Sequence, residues 1–221
     1  MLPRTLDPVE VRVLGALIEK ELSTPDHYPL SLNALVSACN QSSNREPVMT
    51  LASETVSHAI DTLRRQDLVR SFQGSGERVP KYQHLLAQAD ELSPADTAVV
   101  CVLMLRGPQT LAEVRSRAAR LLPGDDADAI EVALERLVAR EPDPFVVRLP
   151  RRAGQKEVRY GHLLGGEVVV DVAAEEHSES SVVSSPSVSE RIAALEALTQ
   201  DMQREIVDLR AQLESFRRQF E

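Results

Sequence analysis

The chain nearly repeats itself, and this constrains its fold more than any other feature. "YQHLL" at 82–86 returns as "YGHLL" at 160–164, and "LDP" at 6–8 returns as "LSP" at 92–94. "PLSLNALVSAC", beginning at Pro29, matches "PQTLAEVRSRA", beginning at Pro108. Val56, Ala59, Ile60 and Leu63 match Ile130, Ala133, Leu134 and Leu137 in spacing and type. Four blocks in one consistent layout define two copies of a unit, over about 6–87 and 92–165. A length of 221 residues accommodates both.

Each copy follows the same local grammar. Asp7-Pro8-Val9-Glu10 and Ser93-Pro94-Ala95-Asp96 supply a capping side chain, a proline at the first helical position and an acid three residues after the cap. Val13, Leu14, Leu17 and Ile18 follow at helical spacing, as do Val99, Val100, Leu103 and Met104. A second, short helix is expected after Ser31 or Thr110, and a third over about Ala52–Gln66 or Ala127–Arg140. The period then becomes two, from Leu68 to Phe72 and at Tyr82–Leu85, with a Gly-Ser-Gly turn between. Phe145–Leu149 and Val158–His162 repeat that pattern. Both pairs of segments read as β-hairpins with polar tips. Three helices followed by a hairpin make a winged helix, in which the second and third helices form the turn unit. The expected fold is mainly α with small β-hairpins (α+β): winged-helix domains at 1–90 and 91–165.

After Gly165 the composition shifts. Residues 166–189 are rich in serine and acids and read as a linker. From 190 to 221 a heptad emerges, with Ile192, Thr199, Ile206, Leu213 and Phe220 at one seam position and Leu195, Met202, Leu209 and Phe216 at the other. Such a seam predicts a C-terminal coiled-coil helix that makes the protein a homodimer. An amphipathic helix folded back on its own domains is the competing reading.

Several function classes are excluded at this stage. The longest apolar run, Ala98–Leu105, is far short of the roughly 20 residues that span a bilayer. The N-terminus has no apolar signal core, so a cytoplasmic protein is expected. Two cysteines, Cys39 and Cys101, give neither a disulfide framework nor a cysteine-rich zinc site. His84 and His162 occupy equivalent repeat positions, but no cysteine or acid falls beside them at ligand spacing. No catalytic constellation and no cofactor motif is present in the sequence, and no enzyme activity is expected.

The basic residues give the stronger lead. The net charge of −9 is uneven: residues 1–90 carry −2, residues 91–165 carry none, and the last 56 carry −7. In a winged helix the third helix enters the major groove and the wing touches backbone or minor groove. Double-stranded DNA is therefore the expected partner, with Ser57 and His58 as base contacts. Arg45, Arg78 and Lys81 in the first copy, with Arg151, Arg152 and Lys156 in the second, are the expected phosphate contacts. The second copy's third helix and the turn before it are acidic, with Asp125, Asp126, Asp128, Glu131 and Glu135. That helix suits protein contacts better than a groove, so an interaction module without DNA binding is the alternative.

The stretch "NQSSNREPVMTLASETVSHAIDTL" at 40–63, with "LDPVEVRVLGALIEKELSTPDHYPLSLNAL" before it, resembles the YceH family of bacterial proteins of unknown function. The likeness covers about residues 5–165, plus a helical tail of the type that family carries. It implies tandem winged helices and brings no established activity, substrate or catalytic residue.

Overall fold

A computed structural model describes residues 5–73, 79–123, 126–151 and 157–166. Chain order in the first half is α1 (Pro8–Ser23), a 3-10 turn (Pro25–His27), β1 (Leu30–Ser31), α2 (Leu32–Cys39), α3 (Ser53–Arg65), β2 (Val69–Phe72) and β3 (Lys81–His84). A single turn, α4 (Leu86–Ala89), leads to the second half. There α5 (Pro94–Arg106), β4 (Gln109–Thr110), α6 (Leu111–Ala119), α7 (Ala127–Ala139), β5 (Val146–Arg148) and β6 (Arg159–His162) repeat the order. The described residues are thus α+β, built from two related halves.

The helix starts form as their caps dictate. The Asp7 carboxylate accepts from the Val9 and Glu10 amides at 2.7 and 2.8 Å, and Glu10 reaches back to the Asp7 amide at 2.9 Å. Ser93 and Asp96 close the same reciprocal box on α5, and Thr110 and Glu113 close one on α6. Ser31 caps α2 through the Ala34 amide.

Each half carries a three-stranded antiparallel sheet, ordered β1-β3-β2 and β4-β6-β5. The hairpins expected from the sequence are therefore each widened by one strand. Leu30 pairs with Tyr82 in the first sheet, as Gln109 pairs with Tyr160 in the second. Val69 lies opposite His84 and Val146 opposite His162, so the two sheets share one register.

The core does not divide between the halves. One cluster of buried residues runs from Leu6 through Leu164, and its centre is the packing of α1 on α5. Residues 10–18 of α1 and 96–105 of α5 are buried without a break, because each helix is covered on all sides. Gly15 permits the contact: a Cβ there would lie 3.0 Å from Leu105 Cδ2. Cys101, which the repeat aligns with Gly15, faces it, with Sγ 3.6 Å from the Gly15 carbonyl. Equivalent surfaces of the two halves thus meet. The Leu6 amide donates to the Leu164 carbonyl at 2.7 Å, which ties the first residues to the last described ones. Among the described residues no helix is long and apolar enough to cross a membrane. The expected coiled coil at 190–221 and most of the 166–189 linker lie outside the described residues.

Candidate nucleic-acid interface

Helix α3 turns Val56, Ala59, Ile60 and Leu63 into the core. The 3.6-residue period then leaves Ser53, Glu54, His58, Asp61, Arg64 and Arg65 exposed, with Ser57 half-buried at the edge. Arg64 stands 3.4 Å from Asp61, and Arg65 donates to Thr62 Oγ1 at 2.9 Å. Beyond the helix end, Arg64, Arg65, Arg70, Asp61 and Asp67 line a groove of about 680 Å³ between α3 and β2.

The loop that leads into α3 is built from buried polar contacts. Asn40 clasps its far end, donating to the Leu51 carbonyl at 2.9 Å and accepting from the Leu51 amide at 2.8 Å. Arg45, expected at the surface as a phosphate contact, lies instead inside this loop, only 4 % exposed. Its guanidinium makes a bidentate pair with Glu19 at 3.0 and 2.5 Å and donates to the Ala38 carbonyl, Gln41 and the Asn44 carbonyl. Every direction in which Arg45 can donate is thus taken by the protein itself. Arg12 lies beside it, donating to the carbonyls of Cys39 and Pro47. Burial, and then the neighbouring Arg45 charge, lower the Arg12 pKa. The second half also holds the loop: the Glu46 amide donates to the Leu105 carbonyl at 2.8 Å, and Arg106 donates to the Asn44 side chain.

Lys81 sits half-buried on β3 opposite Phe72, and Arg70 is exposed on β2 opposite Gln83. Arg78 lies outside the described residues. In the second half Arg151 is exposed, while Arg152 and Lys156 lie outside the described residues. Helix α7 repeats the burial of α3 through Ile130, Ala133, Leu134 and Leu137 but presents a different face. Glu131 stands in the place of Ser57, Val132 in that of His58, and Val138 and Ala139 in those of Arg64 and Arg65. Arg115 bridges Asp128 at 3.0 Å and Glu131 at 3.2 Å, and Arg136 folds back onto Asp96.

Both cysteines and His84 are buried, and His162 is half-buried. Burial pushes the Cys39 thiol up to about 12 and the Cys101 thiol higher still, so neither is a ready thiolate. The His84 amide donates to Tyr28 Oη at 2.7 Å, and its ring pairs with Glu21. His162 belongs to the other sheet, where burial lowers its pKa to about 4. Among the described residues no group of three or more His, Cys, Asp or Glu side chains converges to hold a metal.

The sequence missed Glu19 and Arg12 as members of this loop and gave Arg64, Arg65 and Arg70 no assigned contact. Basic residues where α3 gives way to β2 are the one signal that could have found the groove.

Taken together, these elements define an α+β repeat protein whose two halves carry unlike outward helix faces. The family described as "Protein of unknown function, DUF480" matches residues 6–155. The chain is 48 % identical over 219 residues to a "UPF0502 protein" of Pelobacter propionicus, covering 98 % of each chain. It is similar at the same identity and coverage to a UPF0502 protein of Geobacter sulfurreducens. It is 44 % identical over 214 residues to one of Vibrio atlanticus, covering 95 % of this chain and 97 % of that one. The chain therefore belongs to the DUF480 family.

Proposed function

We propose that this protein is a tandem winged-helix, transcription-regulator-like protein that binds double-stranded DNA through its first half and catalyses no reaction. The observation that carries the reading is the contrast between two equivalent helices. The core-facing residues of α3 and α7 match in spacing and type. The outward face of α3 carries hydroxyl, imidazole and guanidinium groups beside the carboxylates of Glu54 and Asp61, whereas that of α7 carries Asp128, Glu131 and Glu135 with Val132 and Arg136. The α3 face is the better suited of the two to base edges and phosphates, although its two acids oppose the phosphate charge. The helix order and the β1-β3-β2 strand order support reading each half as a winged helix, with α3 as the groove helix and the β2–β3 hairpin as the wing beside it. Ser57 and His58 are the base contacts. Lys81, Arg78 and the groove arginines are the phosphate contacts, helped by Arg151, Arg152 and Lys156. Arg45 holds the loop in place. The C-terminal helix at 190–221 joins two copies as a homodimer, and I206D with L209D should give a monomer by light scattering.

The test is a salt titration of a labelled random duplex by anisotropy. Each lost phosphate contact lowers the salt slope by about one unit, so R78E with K81E should lower it by about two. H58A should change sequence preference and leave the slope nearly intact. Failure of the wild type to bind duplex at about 50 mM salt, where such contacts are strong, overturns the reading. The interaction-module reading then takes its place, favoured by the α7 face, where Val132 is 61 % exposed among carboxylates.

A further inference from the structure

We infer that Phe72, at the end of β2, is a nucleic-acid contact whose ring packs against the sugar and base edges of the minor groove beside α3, an inference that rests on the DNA reading above.

The first observation is exposure at an improbable place. Phe72 is 54 % exposed, whereas the other phenylalanine among the described residues, Phe145, is 6 % exposed. Val79, where the chain returns toward β3, is 56 % exposed. The repeat supplies an internal control. Phe72 lies opposite Lys81 three residues beyond Val69, and Leu149 lies opposite Arg159 three residues beyond Val146. At this shared register position Leu149 is 9 % exposed. The same sheet geometry can thus cover an apolar side chain here, and only the first half leaves its ring in water.

The second observation is charge. Alternation along the strands puts Arg70 and Phe72 on one face, and their cross-strand partners Gln83 and Lys81 share it. Residues 69–85 hold three cations and one carboxylate, Glu77, a net +2 in a chain of net charge −9. A ring with Arg70 and Lys81 on its own face suits a polyanion whose grooves are walled by sugar C–H groups and base edges. Apolar side chains enter the minor groove in this way, while nearby cations neutralise the phosphates on either side. An exposed aromatic also serves sequence-tolerant contacts, because every nucleotide offers an apolar surface.

The chain contains no tryptophan, so F72W installs the sole one. In the full-length F72W protein, duplex binding is followed by anisotropy of the labelled DNA, and indole emission is recorded in the same titration. Saturating duplex should quench the emission and cut acrylamide quenching at least in half. A V132W protein, with its indole on α7, should show neither change. F72A should keep the wild-type melting curve, since the ring is exposed, and should weaken duplex affinity by about tenfold. Duplex binding with unchanged F72W emission and unchanged F72A affinity overturns the inference and leaves the DNA reading standing. No duplex binding by the wild type overturns both. If the emission responds to phosphatidylcholine vesicles containing phosphatidylglycerol and not to duplex, the surface is a membrane contact and the inference is likewise overturned.

Discussion

Arg45 is the residue on which the candidate site depends without exposing it. A guanidinium taken out of water is tolerated only when a carboxylate and carbonyls replace its hydration, and Glu19, Gln41 and the Ala38 and Asn44 carbonyls do so here. The pair is asymmetric, because the Arg45 side chain is fully buried while that of Glu19 keeps 12 % exposure and has Lys20 at 3.5 Å. Removing the carboxylate strands a buried charge, so E19A should cost about 3–5 kcal/mol in urea denaturation. R45M leaves an acid that can turn toward water and fills much of the same volume, so it should cost less. Equal losses from the two variants would show that a stranded buried charge is not what makes E19A costly. None of this was legible in the sequence. Asn44-Arg45-Glu46 reads as a polar surface loop, and Glu19 lies 26 residues earlier on a helix whose local pattern names no partner. The helix caps were legible for the opposite reason, since Asp7 with Glu10 and Ser93 with Asp96 find each other within three residues.

At the scale of elements, α1 and α5 carry the architecture, and Gly15 sets how closely they approach. Alanine there would gain up to about 1 kcal/mol of helix propensity. A larger side chain meets Leu105 Cδ2 at 3.0 Å, its Cγ at 3.1 Å and Met104 Cβ at 3.3 Å, and the last of these cannot swing away. G15V should therefore destabilise by about 2 kcal/mol or more through overpacking and a β-branched side chain in mid-helix. In thermal unfolding, G15V combined with L105A should lose less than the sum of the two single losses, because L105A opens the space that the valine needs. Additive losses would place the strain elsewhere. The helices themselves were readable from caps and period, and α3 and α7 fall within a residue of their expected bounds at each end. The two-residue strands β1 and β4 were not, because a period of two cannot be recognised in Leu30–Ser31 or Gln109–Thr110. Their pairing depends on Tyr82 and Tyr160, about 50 residues onward, and only the folded chain brings them together.

On the scale of the whole molecule, the repeat reads as two domains, while the packing joins them through one core. The loop before α3 is fastened to α5 by the Glu46 amide and to Arg106 through Asn44, so the second half helps to shape the first half's candidate reading surface. Separating the halves would expose the α1 face that α5 covers, and each fully buried aliphatic side chain on such a face is worth about 1.5–3 kcal/mol. A handful of those exceeds the 5–15 kcal/mol that holds a typical domain together. A fragment of residues 1–166 should therefore unfold in urea as one transition, superimposable whether followed by far-ultraviolet circular dichroism or by tyrosine fluorescence. A fragment of residues 1–90 should show no cooperative transition, despite carrying a complete set of helices and strands. Two resolved transitions in 1–166, or a cooperative 1–90, would make the halves independent and remove the second half from the shaping of α3. If instead the fragments behave as expected, DNA binding assayed on the first half alone would report the loss of α1 packing and say nothing about the face of α3. Any dissection of this protein's function should then be made by substitution within the intact pair of halves, where Arg70, Phe72 and Lys81 can be changed without touching the α1–α5 contact.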